Sequence, residues 1–378
     1  MKKRKIMTIT AIALIIVIVS GAVIWKMLGI RAEGEGNQID TSKWDTENRV
    51  NIVYDTAGVP VPVPKGYTAS SVDGEHTVNT GFVIYEGTES VTDSNKDTAQ
   101  KTRNQWVWVP VTEMSDIYFT DSNGKKHGQL WNFSTTGRTK MSYSENSGYR
   151  EPDVVTSYDK STYLPKMLTE EEQTTLNKEF QEEFENVIYS IEKYGGFYIG
   201  RYETGDLSKQ KAKVVKGNED IANQTWYTMY RKSKEILQNE NGNVKTSMIW
   251  GCLWDHTLNW IVTSGNKTYS DMKDSTSWGN YSNSTVAGHG GRRPSGYSEE
   301  WKANNIYDMA GNVWDWTLEA GNTYYRVIRG GGYFHNGSGY PASTSLDRGY
   351  PTYSYFDYVR YTCPTLYKVA LNPNSDAL

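Results

Sequence analysis

A stretch towards the C-terminal end of the sequence has the residue types of a binding surface. Between Tyr333 and Tyr367 the chain contains no Lys, Glu, Gln, Met or Trp, and its tyrosines are mixed with Ser, Thr, Gly, Asn and Asp. Tyrosine offers a large amphipathic contact area at a low cost in side-chain entropy, while Ser, Gly and Asn adapt to a partner. The composition therefore predicts a ligand-binding segment. A Tyr-rich structural loop packed on a sheet is the alternative.

The pattern within this segment separates positions that shape the backbone from positions that make contact. Pro, Gly and Ser set turns, and we expect the residues around them to be fixed. The predicted fixed positions are Gly337, Ser338, Pro341, Ala342, Ser343, Pro351 and Thr352. The predicted contact positions are Tyr333, Phe334, His335, Gly339, Tyr340, Thr344, Leu346, Asp347, Tyr350, Tyr353, Tyr355, Phe356, Asp357 and Tyr358.

Catalytic patterns are absent from the sequence. No Ser/His/Asp triad, phosphate loop or zinc-ligand spacing is evident. Asp255 and His256 are adjacent on a predicted helix, so their side chains point apart, and we expect both at the surface. The two cysteines, Cys252 and Cys363, cannot form a disulfide framework; two unpaired buried thiols are favoured over a single bridge.

Composition limits the class of partner. The 378-residue chain has a net charge of −4 and no basic run outside its first residues, which argues against nucleic-acid binding. Its 13 Trp and 28 Tyr are enough for a large core.

The N-terminus predicts a single-pass membrane protein. A basic tail, residues 1–5, precedes an uncharged run, residues 6–25, that is rich in Ile, Val and Ala. A helix of this length rises about 30 Å, the thickness of the hydrocarbon core. Because basic residues stay in the cytoplasm, the rest of the chain is expected outside the cell. A cleaved signal peptide is the alternative.

The elements that must position the binding segment follow a polar stalk at 26–51. Strands are predicted at Val59–Val63, Gly81–Tyr85 and Gln105–Val111, the last one half-buried because Trp and Val alternate in it. Residues 112–165 and 264–297 are predicted as loops. Helices are predicted from Thr169 to Gly195, at Trp226–Leu237 and at Ser247–Ile261, the first with a capping-box acid and an apolar face.

Four motifs resemble one family. GFYIGRYE (196–203), SMIWGCLWDHTLNWI (247–261), NIYDMAGNVWDW (305–316) and RVIRGGGY (326–333) occur in the order found in the formylglycine-generating enzyme or sulfatase-modifying-factor family. The resemblance implies an α+β, loop-rich C-type-lectin-like fold for a domain at 52–372. The family's copper-binding cysteine pair follows the Arg-Gly-Gly turn, where this chain has His335 and Gly339 or Tyr340. The catalytic pair is therefore missing.

The resemblance also implies a structural calcium site. In the family the matching segment supplies side-chain oxygens at its ends and backbone carbonyls between them. The ligands here would be the side chains of Asp308 and Asp315 and the carbonyl oxygens of Gly311 and Val313, which are the hard ligands that Ca²⁺ prefers. In the alternative, Asp308 caps a turn and Asp315 pairs with an arginine such as Arg329. Trp314 and Trp316 are expected in the core.

The residue types missing from 333–367 share a genetic property. Mutating the adenines of an Asn codon such as AAC yields Tyr, His, Asp, Ser, Thr and Gly but never Lys, Glu, Gln, Met or Trp. The segment is similar in this respect to the variable regions of diversity-generating retroelement targets, which have the same lectin-type fold. This resemblance implies a diversified, variable C-terminal face.

Three functions stay open at this point. The favoured one is a non-catalytic, membrane-anchored display protein that binds an extracellular protein or glycan through 333–367. The others are a copper-dependent oxidase of the formylglycine-generating type with an unusual site, and a carbohydrate-binding module of fixed specificity.

Overall fold

The structure is a computed structural model that describes residues 39–142, 170–205, 212–218, 226–236, 244–321, 326–349, 365–367 and 369–373. In these ranges the chain is a mixed α+β protein, as predicted. The predicted transmembrane helix at 6–25 lies outside the described residues. Within the described ranges, no helix combines the length and apolar character needed to span a membrane.

The described residues form eighteen strands and five α-helices. The strands are β1 (Val50–Tyr54), β2 (Pro60–Pro64), β3 (Tyr67–Ala69), β4 (Val83–Glu86), β5 (Gln105–Pro110), β6 (Tyr118–Thr120), β7 (Lys126–Gly128), β8 (Trp131–Phe133), β9 (Arg138–Lys140), β10 (Gly196–Gly200), β11 (Val244–Met248), β12 (Lys302–Ala303), β13 (Ile306–Tyr307), β14 (Trp314–Ala320), β15 (Arg326–Arg329), β16 (Ser345–Gly349), β17 (Thr365–Tyr367) and β18 (Val369–Pro373). The helices are α1 (Lys96–Thr102), α2 (Glu170–Tyr194), α3 (Trp226–Glu235), α4 (Gly251–Thr263) and α5 (Tyr269–Lys273).

Two sheets organise these elements. A six-stranded antiparallel sheet has the order β11-β18-β10-β5-β4-β3. A four-stranded sheet has the order β16-β15-β14-β17, in which β14 and β17 run parallel. In the four-stranded sheet, β15 ends at Arg329 and β16 begins at Ser345. The first part of the predicted binding segment, residues 333–344, lies in the connection between these two strands.

Strand β5 is buried on both faces, so the half-buried prediction was wrong. On one face Tyr198, which lies opposite Trp108 in the register, hydrogen-bonds to the carbonyl oxygen of Pro62 in β2. On the other face Phe197, opposite Val109, contacts the ring of His256 in α4. Alternating Trp and Val therefore mark two packed faces.

The long helix α2 follows its predicted pattern. Its apolar face is buried, and the helix ends at Tyr194, before Gly195 at φ 80°. The buried residues predicted for that face are Leu176, Phe180, Phe184, Ile188 and Ile191. The predicted N-cap, Thr169, lies outside the described residues. Helix α3 confirms the pattern predicted at 226–237 and ends at Glu235.

Two stretches predicted as loops contain regular structure. Residues 112–165 include the hairpins β6–β7 and β8–β9, and 264–297 include α5 with a Thr268–Asp271 capping box. The hairpin strands have three residues each, which is too short to show a period of two. The pattern at 247–261 was also assigned too broadly, because Ser247 and Met248 close β11 and α4 begins at Gly251.

The folded body begins before the predicted boundary at residue 52. Trp44 is buried and its ring lies 6.2 Å from that of Tyr194 at the end of α2. Val50, the first residue of β1, is also buried. The second half of the predicted stalk is therefore part of the packed domain, and these two apolar residues are the reason.

Gly311→Ala should destabilise the fold by about 3 kcal/mol, because two penalties combine. Gly311 has φ 73°, and a Cβ there would lie 2.2 Å from the carbonyl oxygen of Asn280. The matched control is Gly58→Ala, since Gly58 has φ 81° but open space around it. Urea unfolding should show a loss of about 1–2 kcal/mol in the control. Equal losses in both variants would contradict the close approach at Asn280.

Candidate functional site

A buried guanidinium fixes the sheet that carries the predicted binding segment. Arg329, the last residue of β15, donates from Nη1 to Asp255 Oδ1 at 2.9 Å and from Nε to Glu319 Oε2 at 2.9 Å. All three side chains are buried. The arrangement ties α4, β14 and β15 together, and Ser345 Oγ at the start of β16 lies 3.4 Å from Glu319 Oε1.

Asp255 and His256 are buried, so the prediction that they lie at the surface was wrong. Helix α4 is covered on nearly all sides rather than on one face. Asp255 Oδ2 also accepts from the amide of Trp131 at 2.9 Å, and His256 Nε2 lies 2.9 Å from the carbonyl oxygen of Pro110. Both polar side chains therefore connect α4 to neighbouring strands.

The chain leaves β15 through a tight glycine turn. Gly330 and Gly331 have φ of 88° and 83°, a region that favours glycine. A Cβ at Gly331 would lie 2.2 Å from the carbonyl oxygen of Tyr340. The carbonyl oxygen of Gly330 accepts from the hydroxyl of Tyr281 at 2.7 Å. The turn therefore holds residues 333–340 against the buried residues beneath them. We call these supporting residues the frame: Trp254, Met272, Ser275, Tyr281 and Trp314.

An aromatic cluster forms the first part of the predicted binding segment. The rings of Tyr333 and Phe334 have centroids 5.1 Å apart, those of Phe334 and His335 4.1 Å, and those of His335 and Tyr340 4.3 Å. Beneath them lies Trp314, with its ring centroid 5.3 Å from His335 and 5.8 Å from Tyr340. We call Tyr333, Phe334, His335 and Tyr340 the aromatic face.

The aromatic face is accessible, whereas its floor is not. Phe334 is 37% exposed, and Tyr333, His335 and Tyr340 are half-buried. Trp314 and Trp316 are buried, which confirms their prediction as core residues. Burial lowers the pKa of His335 below its ordinary value, so this ring is neutral at neutral pH. From residue 333 to 345 the segment also contains no Asp, Glu, Lys or Arg.

The turns between the aromatic residues are anchored to the frame. Ala342 is buried; its amide donates to Ser275 Oγ at 3.0 Å and its carbonyl oxygen accepts from Trp254 Nε1 at 3.1 Å. Ser343 Oγ donates to the carbonyl oxygen of Met272 at 2.6 Å. At Gly337 a Cβ would lie 2.8 Å from the ring of Tyr281. These positions therefore have little room for other side chains.

The structure locates six of the predicted contact residues with their side chains. Gly339 is exposed and Thr344 is half-buried, in addition to the four residues of the aromatic face. Leu346 and Asp347 lie on β16, with Leu346 opposite Ile328 in the register. The remaining predicted contact residues, Tyr350, Tyr353, Tyr355, Phe356, Asp357 and Tyr358, lie outside the described residues, as do the predicted fixed positions Pro351 and Thr352.

The predicted calcium ligands lie close to a network of hydrogen bonds. Asp308, at φ 59°, accepts through Oδ2 from Ser295 Oγ at 2.8 Å and from the amide of Gly296 at 2.9 Å. A calcium ion would therefore be coordinated by its Oδ1. Asp315 is buried and lies opposite Arg329 in the β14–β15 register.

In the described part of the chain, no group of three or more His, Cys, Asp or Glu side chains lies close enough to hold a metal ion. Cys252 is buried on α4, as predicted. Cys363 lies outside the described residues. The calcium site and the missing oxidase pair stay predictions.

Sequence reasoning missed the residues that support the face from below. Asp255, Glu319 and Arg329 form the buried charge network, and Tyr281 and Ser275 hold the loop. The sequence offered one signal of this network: Asp255, Glu319 and Arg329 are each a charged residue within an apolar stretch. Such a residue is rarely buried without a partner.

Comparison with known proteins identifies no relative of this chain. The chain matches no protein-family model, no curated protein and no solved structure.

Arg329→Met should destabilise the protein by about 3–5 kcal/mol at neutral pH, because two buried carboxylates lose their counter-ion. Lys96→Met is the control, since it removes a cation from the exposed pair with Asp93 and should cost less than about 1 kcal/mol. Urea unfolding of both variants measures the difference.

The loss in Arg329→Met should also depend on pH. Burial raises the pKa of Asp255 and of Glu319, against the attraction of Arg329. Without Arg329 both folded-state values rise further above the unfolded values of about 4. The folded state then binds more protons, so stability falls as pH rises through the folded-state values. The defect should shrink at about pH 5; a defect that is independent of pH would contradict this assignment.

Proposed function

We propose that this chain is a membrane-anchored display protein that binds an extracellular protein or glycan through a diversified face at 333–367. The proposal includes the C-type-lectin-like fold, an anchor at 6–25 and diversification by a retroelement. It assigns no catalytic role, because His335 and Gly339 or Tyr340 stand at the positions of the family's cysteine pair.

The observation that carries the proposal is the match between burial and the predicted division of positions. Of the positions expected to vary, those with described side chains are exposed or half-buried. Of the positions expected to be fixed, Gly337, Pro341 and Ala342 are buried. Two predicted fixed positions are not buried: Ser343 is half-buried and bonds to the carbonyl oxygen of Met272, and Ser338 is exposed and closes a turn with Asn336. Exchange of the outward residues would therefore alter the contacts of Trp314 with His335 and Tyr340 but keep the main-chain hydrogen bonds at Gly330 and Ala342.

The chemistry of the face suits recognition of a neutral or weakly polar surface. Aromatic residues carry most of the energetic hot spots at interfaces, and their rings combine apolar area with a polar edge. Phe334 is one of four large hydrophobic side chains that are exposed in the described ranges. Neighbouring Tyr333 and Tyr340 extend that apolar surface without adding charge.

Clonal sequencing tests the diversification directly. Among isolates that share a recent ancestor, nucleotide differences should concentrate in codons 333–367 and fall at positions derived from adenines. Codons 305–332 are the internal control and should be identical. Uniform identity across both stretches, or differences spread evenly over both, would overturn the proposal. A neighbouring reverse-transcriptase gene with a near-copy of this coding segment is also expected.

The separation of face and frame predicts unequal tolerance of the same new side chain. Phe334→Asp should change the free energy of unfolding by about 1 kcal/mol or less, since the new carboxylate stays in water. Ala342→Asp should cost about 3 kcal/mol or more, because it buries a charge at a fully buried position whose main chain is bonded to Ser275 and Trp254. Urea unfolding measures both. If the two variants lost equal stability, the face would be part of the core and could not be exchanged freely.

A further inference from the structure

A pocket that is separate from the aromatic face lies at the edge of the six-stranded sheet. It has a volume of about 400 Å³ and is enclosed by α2, the end of α3, β11 and β18. This volume lies within the range of about 300–1,000 Å³ that is common for small-molecule sites. We call it the α2–β11 pocket. It faces a different part of the fold from the aromatic face and is built from different residues.

Two carboxylates and one ammonium form the inner wall of the α2–β11 pocket. Glu179 and Glu183 lie one turn apart on α2, and both contact Lys234 of α3. Tyr230 Oη lies 3.1 Å from Glu179 and 2.7 Å from Glu183, and Ser247 Oγ donates to Glu183. Because the tyrosine and serine partners are neutral, this wall keeps one uncompensated negative charge.

The direction of the pKa shift of Lys234 is consistent with a negative electrostatic potential at the inner wall. Burial alone lowers the pKa of a lysine, but the attraction of Glu183 and Glu179 outweighs it, and the pKa of Lys234 is raised. Glu182 and Lys245 at the rim are opposite in sign and exposed, so they add little net charge. The inner wall therefore has a net negative charge.

An unpartnered amide oxygen faces the same pocket. Lys245 lies opposite Asn372 in the β11–β18 register, and alternation along β11 places Lys245 on the same side as Ser247, towards α2. Asn372 is therefore on the pocket side of the sheet. It is 5% exposed, and its Oδ1 has no hydrogen-bond partner in the described parts of the chain. A buried acceptor in this condition costs free energy until a donor reaches it.

We propose that the α2–β11 pocket binds the alkylammonium group of a small amine, with Glu183 as its counter-ion and Asn372 Oδ1 as a hydrogen-bond acceptor. An ammonium group offers three donors and one positive charge, so it meets both unmet requirements of the pocket at once. Val187 and Val244 offer apolar surface for the alkyl stem. The proposal is independent of the diversified face.

Binding of n-butylamine and of Nα-acetyl-lysine methylamide to the full-length chain tests the assignment. Saturation-transfer NMR titration should show saturable binding of at least one probe, and the two distinguish a free amine from a lysine side chain. The neutral analogue n-butanol should not saturate. Absence of binding by both amines, or equal binding of n-butanol, would overturn the proposal.

Matched variants locate the binding in the pocket. Glu183→Gln should weaken the affinity by about tenfold or more, because a charge-assisted hydrogen bond is lost. Glu185→Gln removes the same charge from an exposed position of α2 and should leave the affinity unchanged. Asn372→Asp adds a carboxylate and should tighten binding several-fold, which keeps the test decisive if Glu183→Gln unfolds. An equal loss in Glu185→Gln, or no gain in Asn372→Asp, would contradict the site.

Discussion

The contact of Arg329 with Asp255 and Glu319 is the interaction on which the predicted binding segment depends. A guanidinium buried between two carboxylates is favourable only when its geometry is held, since each charge has lost its water. That requirement fixes the relative positions of α4, β14 and β15. The glycine turn, the aromatic face and β16 all begin from the end of the strand that Arg329 closes.

This arrangement separates what must be constant from what can change. Below the aromatic face lie Trp314, Tyr281 and Trp254, each buried and each in contact with the backbone or the rings of the segment above. Many of the contacts to the segment are made with its main chain, as at Gly330 and Ala342. Because main-chain groups are the same for every residue type, the frame can hold a segment whose outward side chains differ.

Local patterns in the sequence were sufficient for some elements and insufficient for others. Helix α2 was predictable because its apolar residues repeat every three or four positions and a glycine ends it. Of the predicted fixed positions in the 333–344 segment, Gly337, Pro341 and Ala342 are buried, whereas Ser338 is exposed and Ser343 is half-buried, so a turn-forming residue type does not by itself determine burial. The hairpins β6–β7 and β8–β9 were not predictable, since strands of three residues show no period.

The predictions that were wrong concern contacts between residues that are far apart in the sequence. Asp255 looked like a surface residue because its partner Arg329 is 74 positions away. The alternation in β5 could not show that a second layer covers the outer face. The α2–β11 pocket joins Glu183 and Asn372, which are far apart in sequence and have no shared motif. Only the folded sheet brings them together.

The position of β18 has a consequence for quality control during synthesis. This strand, Val369–Pro373, follows the predicted binding segment, yet it lies between β11 and β10 inside the larger sheet. A chain whose reading frame is lost between 333 and 367 would lack β18 and leave two open sheet edges facing each other. Such a chain is therefore expected to fail at folding and to be degraded.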